Sequence, residues 1–274
     1  MKIGISTFAT DETIRPDVLA KAAEERGFES LFLAEHSHIP RGTTLPDGSA
    51  PGREYYRGLD PFLALTAAAS ATERLRLGTG IAILVQRDVI HTAKEVATLD
   101  LLSGGRVLLA VGAGWNEAEM RNHGVDPRTR GRLMDEQLAA LKAIWTEEET
   151  SFHGEHVNFG PIHQWPKPVQ RPHPPIYIGG HSRAARRRVI EHGDGWFPLV
   201  VAPEDVQDMR SELAARERTG VVMNVPADEN DLPNLDRFAE AGADRATFHL
   251  EALPESAALR KLDELAALIT RYSS

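Results

Sequence analysis

Residues 75–117, LRLGTGIAILVQRDVIHTAKEVATLDLLSGGRVLLAVGAGWNE, constrain the fold more tightly than any other stretch, because strand, helix and strand patterns follow one another there. Residues 75–83 form an apolar run interrupted by Gly78 and Gly80, and residues 107–111 a continuous apolar run closed by Gly112 and Gly114. Between them Val89, Ala93, Val96, Ala97, Leu99 and Leu102 fall roughly on one helical face. Two strands and a helix within ~40 residues make a parallel crossover unit. Strands apolar throughout belong to parallel sheets covered on both faces, and a glycine inside one marks a bulge or the close approach of a ligand. Thr79, Gly80 and Ile81 are therefore the first candidate ligand contacts.

The same alternation continues in both directions. Strand patterns occur at 2–8, 30–34, 175–180, 195–200, 220–225 and 246–250, and helical patterns at 16–26, 61–71, 132–148, 181–192, 203–218, 232–241 and 255–272. The segments EERGFESLFL, IEHGDGWFPL and AEAGADRATFHL repeat one device, a helix end, a glycine and an apolar strand, which makes Gly27, Gly193 and Gly242 structural caps. Eight strands alternating with eight helices predict a (β/α)8 TIM barrel as a single domain over residues 1–274, with a small hairpin excursion around residues 149–172. An open dinucleotide-binding sheet is disfavoured, since no GxGxxG opens a first helix. The polar, glycine- and proline-rich segment 37–59 is long for a connection and reads as a lid or binding loop. The alanine-rich helix 62–71 is either a close-packed homodimer face or an internal helix.

The formal charge of −9, from 31 basic and 40 acidic residues, argues against nucleic acid and anionic membranes as partners and leaves a small-molecule substrate. There is no cysteine, hence no disulfide framework and no thiolate chemistry. The start MKIGISTFAT is too short and polar for a signal peptide, and no apolar run reaches the ~18 residues of a membrane span, so a cytoplasmic location is expected.

In a (β/α)8 barrel the active site lies at the C-terminal ends of the strands. Glu35 and His36 close the second strand and are the candidate catalytic residues. Gly112, Gly114 and Trp115 follow the fourth, where the indole can wall a planar ligand. Gly179, Gly180, His181 and Ser182 form a strand-to-helix turn suited to phosphate, with Ser182 as the cap and Arg183, Arg186, Arg187 and Arg188 just behind it. The His36-x-His38 pair also allows a metal-dependent hydrolase, although such sites need further ligands that the other strand ends do not offer, so no metal is expected.

AEH at 34–36, LGTGI at 77–81, AKEVATLDLLSGGR at 93–106, GAGWNEAEM at 112–120, WPKPVQRPHPPIYIGG at 165–180 and GDGW at 193–196 together resemble the bacterial luciferase-like monooxygenase family, in its F420-dependent (deazaflavin) oxidoreductase branch. The resemblance is dense over about the first 200 residues. It implies hydride transfer between coenzyme F420 and a small organic substrate, with an FMN-dependent monooxygenase using molecular oxygen or a non-catalytic flavin-binding relative as alternatives. By position it further implies a cis peptide at Gly80–Ile81 under the cofactor ring, His36 at the ring's reacting edge, and the 179–182 turn as the phosphate loop. Arg186 and Arg187 would hold the anionic tail of F420. Two departures stand out: only residues 226–232 separate the seventh strand from its helix, and Trp115 occupies a place where some F420 dehydrogenases carry a carboxylate.

Overall fold

The computed structural model describes residues 1–272. The first half of the chain runs β1 (Lys2–Thr7), α1 (Pro16–Glu25), β2 (Ser30–Leu33), α2 (Arg53–Arg57), α3 (Pro61–Ser70), β3 (Arg76–Thr79), β4 (Ala82–Ile83), α4 (Val89–Ser103), β5 (Val107–Gly112), α5 (Glu117–Asn122) and α6 (Arg130–Thr146). The second half runs β6 (Thr150–His153), β7 (Asn158–Ile162), β8 (Ile176–Gly179), α7 (Arg183–His192), β9 (Gly195–Phe197), α8 (Pro203–Ala214), β10 (Val222–Ala227), α9 (Leu232–Glu240), β11 (Arg245–His249) and α10 (Glu255–Tyr272). β3 and β4 are two halves of one interrupted strand. Counted so, eight parallel strands among the described residues pair in sequence and close where β3 meets β5. The antiparallel β6–β7 hairpin is the expected excursion. Among the described residues no helix is long and apolar enough to cross a membrane.

The strands are apolar on both faces because each is covered twice, by helices outside and by side chains within the barrel. Phe32, Leu108, Ala110 and Tyr177 form the inner cluster. Their bulk is matched by glycines: a Cβ on Gly78 would lie 2.3 Å from the Phe32 ring, and one on Gly195 2.3 Å from that of Tyr177. Arg245 plugs the barrel's lower end, with Nε and Nη2 donating to the two Glu29 oxygens at 2.7 Å and Nη1 to the Tyr177 hydroxyl at 3.1 Å. The alanine-rich α3 packs between α1 and α4, burying Phe62, Ala64, Leu65, Ala68 and Ala69.

The three glycines close helices in two ways. Gly27 and Gly242 take left-handed backbone, at φ +85° and +93°, whereas Gly193 caps α7 at φ −85°, its N–H bonding the Arg188 and Val189 carbonyls. Glycine is needed there for room, since a Cβ would sit 3.0 Å from Ile178 and from the backbone of Val189. The segment 37–59 contains one short helix, α2.

The block LDLLSGGR is a structural joint. Buried Asp100 accepts the N–H groups of Val169 and Gln170 at 2.7 and 2.9 Å, and its other oxygen takes the Gln170 side-chain amide at 2.7 Å, docking the proline-rich segment. Gly104, at φ +68°, ends α4. Arg106 then spreads its guanidinium over the carbonyls of Ala69, Thr72, Leu75 and Ser103 and the Thr72 hydroxyl, all at 2.7–2.9 Å. Replacing Arg106 by Met would leave those buried oxygens unpaired, and each costs about 1–3 kcal/mol. The variant is expected to lose about 3 kcal/mol or more in a denaturant titration; a loss within error would show that the joint is not structural.

Candidate active site

The pairing of β3 with β5 reaches Gly78 opposite Leu108 and resumes in β4 with Ala82 opposite Val111. In the gap the Gly80–Ile81 peptide is cis, as the family resemblance implied. Side chains satisfy the backbone around it. Thr79 Oγ1 donates to the Ala110 carbonyl at 2.6 Å, and the Ile83 N–H donates to Glu35 Oε2 at 2.6 Å. Arg87 Nε holds the other Glu35 oxygen at 2.7 Å, and the same guanidinium meets Asp60 and Glu95 at 2.9 Å. Burial opposes the Arg87 charge, yet Glu35 and Asp60 outweigh it and raise its pKa. Glu35, expected as a catalytic partner of His36, is thus committed to a backbone amide and an ion pair, which is the geometry of a support for the strand break.

Above the gap opens a cavity of about 440 Å³ at the C-terminal mouth of the barrel. Gly80, Gly114, Gly179 and Gly180 contribute backbone to its lining beside Ile81, while Phe8, Tyr55, Trp115 and Phe197 supply aromatic walls. Asn224, Thr247 and His249 line it from the last strands. Gly112 and Thr79 lie beneath this surface. A Cβ on Gly112 would sit 2.7 Å from Ile81 Cδ1, and one on Gly179 3.0 Å from Ile81 Cγ2, so these glycines let the Ile81 side chain seat between β5 and β8.

The anion loop departs further from expectation. Gly179 and Gly180 line the cavity, but His181 and Ser182 are exposed outside its lining. Ser182 Oγ accepts the Ala185 N–H at 3.2 Å and is the helix cap, as expected. Arg186 pairs with Glu212 and Asp205, Arg187 with Asp135 and Glu191, and Arg188 with Asp135. Arg186 and Arg187, expected to hold an anionic tail, are therefore already neutralised by α6, α7 itself and α8. Of this basic run only Arg183 lacks a carboxylate partner among the described residues.

His36 is buried, and its Nδ1 lies 2.8 Å from Oε2 of the fully buried Glu119 on α5. The other carboxylate oxygen accepts the Ser37 N–H at 3.1 Å, and Ser37 Oγ bonds His123 Nε2 at 2.7 Å and His38 Nδ1 at 2.9 Å. Tyr55 and Trp115 rings flank His36 at centroid distances of 5.4 and 5.7 Å. His38 turns to Ser37 and Asn122, so the two histidines of the H-x-H pair engage different partners. Glu35 and His36 also border a second cavity of about 430 Å³, lined by Asp88, His91, Glu95 and His123. His36 thus stands between an aromatic chamber and a polar one.

Glu119 and Tyr55 are site residues that sequence reasoning missed. Asn116-x-x-Glu119 has the form of a capping box, and Asn116 does cap α5 through the N–H groups of Ala118 and Glu119; the glutamate turns to His36 instead. Burial pushes the Glu119 pKa up, but hydrogen bonds from His36, Gln86 and the Ser37 amide, with the charge His36 carries when protonated, outweigh it and hold the carboxyl below its ordinary value. A carboxylate with a depressed folded pKa adds stability that is present above its unfolded value of about 4.3 and is lost as pH falls through the folded value. Glu119→Gln should therefore be less stable than the wild type at pH 7, with the gap narrowing progressively below about pH 5; a gap that stays constant down to acid unfolding would contradict this assignment.

Residues 13–225 match the sequence profile of the luciferase-like monooxygenase family. An uncharacterized protein of Mycobacterium tuberculosis is 38% identical over all of this chain and 98% of its own length. The FMNH2-dependent dimethylsulfone monooxygenase of Pseudomonas putida is 37% identical over 54% of this chain and 43% of its own length. An F420-dependent secondary alcohol dehydrogenase solved with an F420–acetone adduct superposes with a TM-score of 0.75 over 98% of this chain and 99% of its own, at 18% identity. The profile match and the full-length relative settle the family, and the superposition agrees in fold: the chain belongs to the luciferase-like monooxygenases.

Proposed function

We propose that this chain is an oxidoreductase that uses coenzyme F420 to move a hydride to or from a small, largely apolar organic substrate. The observation that carries the reading is the His36–Glu119 pair at the edge of a cavity lined both by aromatic side chains and by glycine backbone. Gly80, Gly114, Gly179 and Gly180 bring main chain to the cavity lining, and what a Cβ on each would meet is protein packed behind that lining, so their peptide groups are the surface offered to a flat ring system. These residues would hold the deazaflavin ring, and exposed Arg183 and His181, just beyond Gly180 in the chain, would meet the anionic tail. When bound, the deazaflavin supplies the hydride donor or acceptor.

The protein's own contribution is acid–base chemistry and exclusion of water. Removing a hydride from a carbon bearing a hydroxyl leaves a proton on oxygen, and His36 Nε2 takes it; in the reverse direction the same nitrogen returns it. Tyr55 and Trp115 fix the imidazole plane and keep water from the reacting atoms, while Glu35 holds the backbone on which the ring rests.

A second reading, an FMN-dependent monooxygenase, draws support from the dimethylsulfone monooxygenase relative. Titrating cofactor-free protein with F420 and separately with FMN, followed by tryptophan and cofactor fluorescence, discriminates between them. Selective F420 binding is the expected result. FMN preference would move the chain to oxygen chemistry, binding of neither would remove the cofactor assignment, and binding without turnover of any acceptor would indicate a non-catalytic relative. His36→Ala should lower turnover by about 10²- to 10⁴-fold, the usual worth of a general acid–base group, with F420 affinity within about threefold; unchanged turnover takes His36 out of the mechanism.

A further inference from the structure

We propose that Glu119 is a positioning residue that keeps the proton of neutral His36 on Nδ1, so that Nε2 is the atom that exchanges a proton in the aromatic cavity. The proposal deepens the role given to His36 above and rests on it for its catalytic meaning. Its structural content rests on the pair alone.

An ionised carboxylate can only accept hydrogen bonds. Glu119, fully buried and held ionised at neutral pH, stands 2.8 Å from Nδ1, so the hydrogen between them belongs to the ring. The carboxylate is itself fixed, because the Ser37 N–H occupies Oε1 and α5 is pinned by its Asn116 cap. With Asn116 serving the helix end, the Glu119 side chain is released from capping and spent on the imidazole. The Tyr55 and Trp115 rings flank the ring and resist its rotation. Nε2 has no hydrogen-bond partner among the described residues, so it is the ring nitrogen left for a substrate. Glu119 and His36 come from the fourth and second strand ends, so the pair adds to the Ser37–His123 and His38–Asn122 bonds that tie these two loops together.

This arrangement makes Glu119→Gln informative. The glutamine amide can donate to Nδ1, which moves the ring proton to Nε2 and turns the base away from the cavity. A carboxylate-to-amide change behind a catalytic imidazole costs about 10⁴-fold in triad hydrolases for the same reason.

The test is a long-range proton–nitrogen NMR correlation on the full, cofactor-free chain with ¹⁵N-labelled histidine. His36 is picked out of the 11 histidines by the signals lost in His36→Asn. In the wild type His36 should show a protonated Nδ1 and a bare Nε2, and Glu119→Gln should reverse them. In the F420-loaded enzyme the same variant should lower kcat at least about 100-fold while the substrate KM stays within about threefold. A wild-type His36 carrying its proton on Nε2 overturns the proposal whether or not the variant folds. So does a folded Glu119→Gln that keeps the wild-type pattern, or that reverses it with kcat unchanged. Because the NMR measurement needs no cofactor, failure of F420 to bind would leave the Nδ1 assignment standing, and a wrong tautomer would sink it even in an enzyme that binds F420.

Discussion

The hydrogen bond from the Ile83 amide to Glu35 is the interaction on which the mouth of the barrel depends. A closed parallel sheet satisfies its backbone through the ladder, and a buried amide left without a partner costs more than most single contacts return. The ladder is broken between β3 and β4, and the carboxylate at the end of β2 stands in for the missing acceptor. Arg87 balances its charge and carries the restraint outward to Asp60, which caps α3, and to Glu95 on α4. One substitute acceptor therefore fixes the exit of two strands, the start of α3 and a point within α4. His36, the next residue after Glu35, inherits that rigidity.

The charges around the site divide according to depth. Glu35 and Glu119 are each paired inside the protein, one with a guanidinium and one with an imidazole, and both pairs hold backbone or ring geometry. The arginines of α7 are spent between helices, where Asp135 on α6 takes two of them and the acidic residues of α8 take a third. A basic run in an acidic chain looked like a ligand site because its partners lie tens of residues away in sequence. Contact between helices, not recognition of an anion, accounts for most of it.

That contrast marks what could be read without coordinates. The barrel was legible because β5 and α4 repeat strongly periodic patterns and because left-handed glycines such as Gly27 and Gly242 punctuate the chain. The glycine surface was legible at Gly80, Gly114, Gly179 and Gly180, since strand-end glycines in a barrel have few other uses. α2 and α5 were not, because five- and six-residue helices show no period. Glu119 gave no signal of its own, because nothing near it in sequence marks a carboxylate that faces an imidazole, and the role of Glu35, a strand-end carboxylate, depends on which amide it faces. His36 was found by its position, but its partner arrives 83 residues later.

Tyr55 connects the lid to this chemistry. It lies on α2, stacks at 4.8 Å on Phe8 of the barrel mouth and at 5.4 Å on His36, and so closes one wall of the cavity. At the base of the lid, Thr10 bridges Gly58 and the Leu59 amide bonds the Ala9 carbonyl. Its remaining ties to the barrel include the pairs of Arg53 and Arg57 with Glu12 and Asp11, which are solvent-exposed. Exposed pairs of this kind contribute about 0–1 kcal/mol, so the aromatic contacts of Tyr55 carry much of the closure. Lifting α2 would uncover His36 while the Glu119 bond, rooted in α5, stayed intact. The imidazole is thus held from two elements, by the Tyr55 ring on α2 and by the Glu119 carboxylate on α5, and only the second of these holds lies outside the 37–59 segment.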